Sequence, residues 1–390
     1  MLVSGDSSAQ TAPIAVYGAT GYTGRLVAAE LHRRGAEFVL AGRNSAKLDA
    51  LADELGGEAR TAAVRLDDPA ALRELLEPCA VVIACAGPFT LHGDPVVAAA
   101  ADAGVHYLDT TGEQPFIERV FQVFGPRAER AGCALVPAMG FDYAPGDMLA
   151  SLTAAGMDPL DEITLAYSVR GFGATRGTML SGMEILKGGD VEYRDAAWRS
   201  GSQSVGRGFW EFPPPIGRQR MLRYPAGEQI TVPRHVQTRN VRTMISAKTA
   251  LPGPTAEAAA LLMPPFQLAL RTPLRRALGA LVSRLPEGPG EKARRAARFA
   301  ISCEARRAGF RRRGFVTGPD VYGLTAFTTV QGALLAAAPG YDRAGALAPS
   351  QAFEPHEFLD ALGEFGVEHA VDPIPDQQEP AAAAASRPPA

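Results

Sequence analysis

The sequence predicts an α/β protein, with a doubly wound parallel sheet at the N-terminus followed by a second α+β domain. Three observations predict it. From residue 13 to about 140, short apolar runs alternate with helical stretches. The first of these runs breaks into a glycine turn that opens a helix, Ile14-Ala-Val-Tyr-Gly-Ala-Thr-Gly-Tyr-Thr-Gly24. The chain is 390 residues long, which one sheet of this kind does not fill.

The glycine turn comes first. Ile14 to Tyr17 reads as a strand and Arg25 to His32 as a helix. Between them, Gly18 permits the tight turn, Gly21 lets backbone approach a pyrophosphate, and Gly24 allows helix to pack closely on strand. Thr20, Tyr22 and Thr23 complete the loop. Phosphates held there would meet unpaired N–H groups and the positive end of the helix dipole. The spacing is GxxGxxG, a weak signal alone, and the second strand gives it weight. That strand, Glu37 to Asn44, ends in Arg43-Asn44 about 25 residues after Gly18. An NAD(H) site would place a carboxylate there, whereas a guanidinium offers donors to a 2′-phosphate. NADP(H) is therefore preferred to NAD(H).

The helix Ser45–Leu55 leads to a third strand, Arg60–Leu66, and to Asp67, a position suited either to adenine contact or to capping the helix Pro69–Leu76. Strand four, Ala80–Ala86, is apolar on both faces, as a central parallel strand should be. It runs into Gly87-Pro88-Phe89, then His92 and the helix Asp94–Ala103. Ligands of open α/β sheets bind at the carboxyl ends of strands, which places Ala86 to Phe89 beside the reacting half of the dinucleotide. Strand five, Val105–Asp109, leads to Thr110, Gly112 and Glu113; strand six, Ala134–Ala138, leads to Asp142 and Tyr143.

Composition narrows the class. A net charge of −3 with 46% hydrophobic residues excludes a protein that is disordered or strongly nucleic-acid-binding as a whole. The four cysteines lack metal-ligand spacing and read as buried thiols of a reducing, cytoplasmic setting. No secretory signal or membrane-spanning run is visible, and Ala256–Leu270 reads as a helix broken at Pro264-Pro265. Residues 1–12 and 373–390 read as disordered tails.

GATGYTG, AGRN, CAGPF..HG, HYLDTTGE and GFDYAPGD, in that order, resemble the saccharopine dehydrogenase-like reductases, and within them the trans-acting enoyl reductases of actinobacterial lipid and polyketide assembly. The likeness is dense from Ile14 to about Leu149 and returns at Gly318–Ala326 and Leu347–Leu362. It implies a Rossmann fold and NADP, and leaves the substrate open.

The expected organisation is an NADP-binding Rossmann domain over 13–140, a substrate domain over 141–320, and helices over 321–372 packing back on the first domain. In the substrate domain, Asp161–Val169 and Val236–Leu251 read as strands. Gly171–Thr178 is a glycine-rich turn opening the helix Met179–Lys187, and it reads equally as a cleft wall or as a flexible loop capped by Thr178. Gly188–Gly217 reads as loops, with Trp198 and Trp210 as packing residues. Between Glu291 and Arg313 there are nine Lys or Arg residues against two Glu. Phe299–Arg306 and Phe310–Val316 form a hairpin around Gly309, and the arginines Arg306 to Arg313 are either a charged sheet edge or a landing patch for an anionic carrier. The Pro264–Leu285 stretch, with Arg271, Arg275 and Arg276, admits membrane-surface contact as well as burial. The terminal helices are Thr325–Ala338 and Pro355–Leu362. A homodimer is compatible with the sequence.

No YxxxK pair, metal-ligand set or Ser/His/Asp arrangement is visible. The acid/base candidates at the strand ends are Tyr107, Asp109, Glu113, Asp142, Tyr143 and His92. Asp142 ranks first because the strand-six turn enters the cleft; Asp109 and Asp142 also suit loop capping. The reading is an NADPH-dependent reductase acting on an enoyl C=C bond, free or carrier-bound. Imine reduction of the saccharopine type, using Arg170 and Arg176, is the alternative, and a non-catalytic NADP-sensing protein is another.

Overall fold

A computed structural model describes residues 12–187, 190–201, 208–250 and 268–373. The expectations for most of 1–12, for 256–267 and for nearly all of the C-terminal tail lie outside those residues. Two seven-stranded sheets dominate the described chain.

The first sheet is wholly parallel. Its strands are β1 (Ile14–Tyr17), β2 (Phe38–Gly42), β3 (Arg60–Ala63), β4 (Val81–Ala84), β5 (His106–Asp109), β6 (Ala134–Val136) and β15 (Gly345–Ala346), in the order β15-β6-β5-β4-β1-β2-β3. Both β1 and β4 are buried throughout, which is why both read as continuous apolar runs. They pair Ile14 with Val81 and Tyr17 with Ala84, and the strand order reverses between them. A crevice therefore opens at their carboxyl ends. The two residues of β15 are too few to carry a pattern, and the sequence did not announce them.

The second sheet is mixed. It comprises β7 (Glu162–Arg170), β10 (Gly208–Phe212), β11 (Gly217–Arg223), β12 (Val241–Ser246), β13 (Arg298–Arg307), β14 (Phe310–Pro319) and β16 (Glu368–Val371), in the order β10-β11-β12-β7-β13-β14-β16. Only β12 and β7 run parallel. The β13–β14 hairpin forms around Gly309 as expected, with Ala308 and Gly309 both at positive φ. Two expectations fail. Gly188–Gly217 is not loop alone: β8 (Val191–Arg194) and β9 (Ala197–Ser200) form a hairpin, and β10 follows. Gln114 and Gln229, distant in sequence, accept from the N–H groups of Val191 and Tyr193 and so fix β8. The strand expected over Val236–Leu251 stops at Ser246. Beyond it, the Thr249 hydroxyl bonds both the N–H and the C=O of Val169, drawing the chain into a helical turn.

One continuous apolar core joins the two sheets, from Val16 and Ile83 through Leu108 and Leu149 to Leu165 and Ile301. Two helices fill the space between. Ala144–Ala154 packs on β13 and β14. Val321–Ala336, buried nearly all round, packs on the Tyr22–Arg33 helix and on β4 and β5. It starts four residues earlier than expected because Asp320, paired with Arg294 at 2.6 Å, caps it through Gly323 N–H.

Gly146 shows how tightly the layers meet. A β-carbon there would overlap the Tyr167 hydroxyl and lie 2.6 Å from Glu228 Oε1, both buried. Gly146→Ala should lower stability by about 1–3 kcal/mol through overpacking. Denaturant unfolding that gives the same midpoint for both proteins would show that the layers have slack.

Candidate functional site

The glycine turn lies at the crevice. Gly18 takes a φ of +83°, and a β-carbon on it would sit 2.9 Å from Ala86 N, so no other residue fits. A β-carbon on Gly24 would overlap Gly18 O, while one on Gly21 would meet Gly18 O in ordinary contact at 3.4 Å. The helix after the turn, Tyr22–Arg33, has no side-chain cap and no acid in its first turn. Its leading N–H groups thus remain for an anion, and Gly18, Thr20, Gly21, Tyr22 and Thr23 all line a cleft of about 1340 Å³. The cradle fits a pyrophosphate.

At the adenosine end, Arg43 lines the cleft. Asn44 does not; it caps the next helix, accepting from Lys47 N–H at 3.0 Å. Asp67 reaches the cleft wall but pairs with Arg65 at 2.8 Å, and helix capping falls to Asp68 instead. Arg65 also lines the cleft, a second guanidinium that no motif in the chain singles out.

At the opposite end, Ala86, Gly87, Phe89, His92, Thr110 and Gly112 line the cleft. Pro88 faces a separate small groove. Glu113, expected at the cofactor, is fully buried. Its carboxylate accepts from Phe89 N–H and Thr90 N–H at 2.8 Å each and from Ser181 Oγ at 2.7 Å. It holds the loop rather than the ligand. Asp109 is likewise a brace: Oδ1 accepts from Thr111 and Ala138 N–H, and burial pushes its carboxyl up to about 7. Tyr107 is buried in the sheet.

Asp142 is exposed to the cleft, and desolvation by the surrounding walls raises its carboxyl to about 6. Tyr143 is fully buried and off the wall. Its hydroxyl donates to Gly112 O at 3.0 Å and meets the Tyr224 hydroxyl at 3.2 Å. Tyr224 faces the cleft in its place, together with the ring of Tyr167. Behind them Tyr167 hydrogen-bonds Glu228, whose buried carboxyl is pushed well above its usual range. Tyr224 and Glu228 lie some 80 residues beyond Asp142 and arrive only through the second sheet, so no spacing in the chain pointed to them.

A helix covers the cleft. Gly171–Thr178 turns into Arg176–Leu186, and Phe172, Thr175, Thr178, Leu180 and Ile185 line the space beneath it. Its cap is Thr175, which accepts from Thr178 N–H at 3.0 Å; Tyr322 binds both threonines. Arg170 lies on an exposed strand end away from the wall. Arg176 and Arg223 do line it, but Arg176 sits 3.8 Å from Glu287 and Arg223 pairs with Asp190 and Glu192.

The arginines of the β13–β14 hairpin sit elsewhere. Glu162 faces Arg306 at one end of β7 and Val169 faces Phe299 at the other, roughly 23 Å away at strand rise. Only Val169 is near the cleft. Arg307 and Arg312 bond backbone carbonyls, and Arg313 pairs with Glu304 at 2.7 Å. The cluster ties the hairpin to the chain around Leu152–Asp158 and to Glu304, at the end of β7 away from the cleft.

Arg43 carries the expected cofactor choice. Arg43→Asp should cost about 1–3 kcal/mol of NADPH affinity and leave NADH binding little changed. Fluorescence titration with both nucleotides reads this; equal wild-type affinities would contradict it.

Residues 14–136 match the saccharopine dehydrogenase NADP-binding domain family. A Mycobacterium tuberculosis protein carrying a trans-acting enoyl reductase name is 36% identical over 184 residues, 44% of this chain and 44% of that one. The trans-acting enoyl reductase of Mycobacterium ulcerans is 38% identical over 140 residues, 35% and 34% of the two chains. This chain therefore spans less than half the length of the relatives it matches. Apo saccharopine dehydrogenase (L-Glu forming) from Saccharomyces cerevisiae superposes with a TM-score of 0.60 at 14% identity, covering 93% of this chain and all of that one, a likeness of fold. Residues 14–136, which carry six of the seven strands of the first sheet, thus match the saccharopine dehydrogenase NADP-binding domain.

Proposed function

We propose that this protein is an NADPH-dependent reductase of enoyl C=C bonds in apolar acyl substrates. The observation that carries the reading is the character of the far half of the cleft. Phe141, Val169, Phe172, Leu180, Leu222 and Ile245 wall it, and its arginines are engaged by acids or, like Arg271, by a backbone carbonyl. A polycarboxylate imine needs convergent free cations, and a pure sensor needs no apolar chamber beyond the nucleotide. The enoyl reductase names among the relatives agree.

When bound, the nicotinamide supplies hydride. The chain's own residues do the rest. The Gly18–Thr23 turn holds pyrophosphate, Arg43 takes the 2′-phosphate, and Thr110 and Gly112 flank the reacting end. Asp142 then protonates the carbon that gains negative charge, because its raised pKa keeps part of it protonated near neutral pH. Tyr224, fixed by Tyr143, stands beside it to orient the carbonyl. Cys85 also lines the cleft, but burial pushes its thiol up to about 12, so it is no nucleophile.

The acid form of Asp142 is the one required, so kcat/KM for a medium-chain enoyl thioester should fall as pH rises through about 6. Asp142→Asn should remove that limb and lower kcat roughly a hundredfold or more, with NADPH affinity unchanged. A preference for a dicarboxylate imine, or an unaltered pH profile in the variant, would overturn the assignment.

A further inference from the structure

Beside the mouth of the cleft, the short helix Leu274–Val282 stands out from the fold with none of its residues buried. Leu268, Leu274, Leu281 and Leu285 are 66, 53, 59 and 40% exposed, close to half of the exposed large apolar side chains among the described residues. Leu274 and Leu281 are two helical turns apart and share a face. Between Leu268 and Leu285 lie four arginines, Arg271, Arg275, Arg276 and Arg284, and no acid. Arg275 has Glu184 at 3.8 Å, whereas Arg276 and Arg284 have no acidic partner among the described residues.

We propose that Leu268–Leu285 is a docking element for an anionic phospholipid surface. Two features select a bilayer as occupant. Leu274 and Leu281 project from the exposed helix, none of the four leucines lines the cleft or the small groove, and the flanking arginines supply charge of the sign that acidic headgroups attract. The patch is also continuous with the cleft: Arg271 belongs to the cleft wall, and Leu180 lines both the cleft and the small groove beneath Gly279. Among the described residues no helix is long and apolar enough to cross a membrane, so the contact is with the surface. A docked helix would set the cleft mouth against the membrane plane. This inference does not depend on enoyl reduction being the reaction.

Co-sedimentation of the full chain with vesicles tests it. Binding is expected to vesicles of mixed phosphatidylcholine and phosphatidylglycerol, and to be weaker, on the order of tenfold, for phosphatidylcholine alone or at high salt. Leu274→Ser with Leu281→Ser, and separately Arg276→Glu with Arg284→Glu, should each reduce binding by about tenfold while thermal unfolding stays unchanged, since these side chains are exposed. No binding to the anionic vesicles would overturn the proposal. So would a leucine variant that loses thermal stability, which would show the stripe covered by the chain itself, or one that turns a dimer into a monomer by size-exclusion chromatography.

Discussion

A single buried carboxylate ties the site together. Glu113 has no exposure, and in a low-dielectric interior an unpaired carboxylate would be costly. Three donors satisfy it: two backbone N–H groups of the loop after β4 and the Ser181 hydroxyl on the helix that covers the cleft. The loop flanking the reacting end of the dinucleotide and the roof over the substrate therefore share one anchor. The capping threonines repeat the pattern on the other side, where Tyr322 holds the roof to the helix that runs between the sheets. Cofactor floor and substrate roof are thus fixed with respect to each other by short, buried hydrogen bonds, the kind of preorganisation that positioning catalysis requires.

How much of this was legible in the sequence depends on how local each determinant is. The parallel sheet was readable because β1 and β4 are buried on both faces, and the glycine turn because Gly18 and Gly24 are imposed by close backbone contacts. The β13–β14 hairpin was readable through its turn at Gly309. What escaped is set by distant partners. The hairpin at Val191–Ser200 depends on Gln114 and Gln229, and the end of β12 depends on Val169. Within the site, the acid at Glu113 looked like a ligand because a strand-end carboxylate beside a glycine loop resembles one; only its three donors reveal a brace. Tyr143 was the right type of residue at the wrong depth, and Tyr224 takes the position in the wall through a fold-level contact.

Charge is distributed to the same effect. The cations that face the nucleotide half, Arg43 and Arg65, lie at its adenosine end, and those near the substrate half are neutralised by Glu287, Asp190 and Glu192. Much of the densest basic run in the chain is spent on carbonyls at the end of the Ala144–Ala154 helix and in the loop after it, and on Glu304, away from the cleft. What is left beside the reacting end is an apolar chamber that holds Asp142, its carboxyl raised to about 6 by desolvation within the cleft. That combination suits an electron-poor alkene on an acyl chain better than a polyanion.

The most direct test of the central claim tracks the hydride itself. With NADPH deuterated at the transferring position and an α,β-unsaturated acyl thioester, NMR of the product should show deuterium at the β-carbon and a solvent-derived proton at the α-carbon. Deuterium delivered instead to the carbon of a C=N bond, with the enoyl thioester returned unlabelled, would contradict the account.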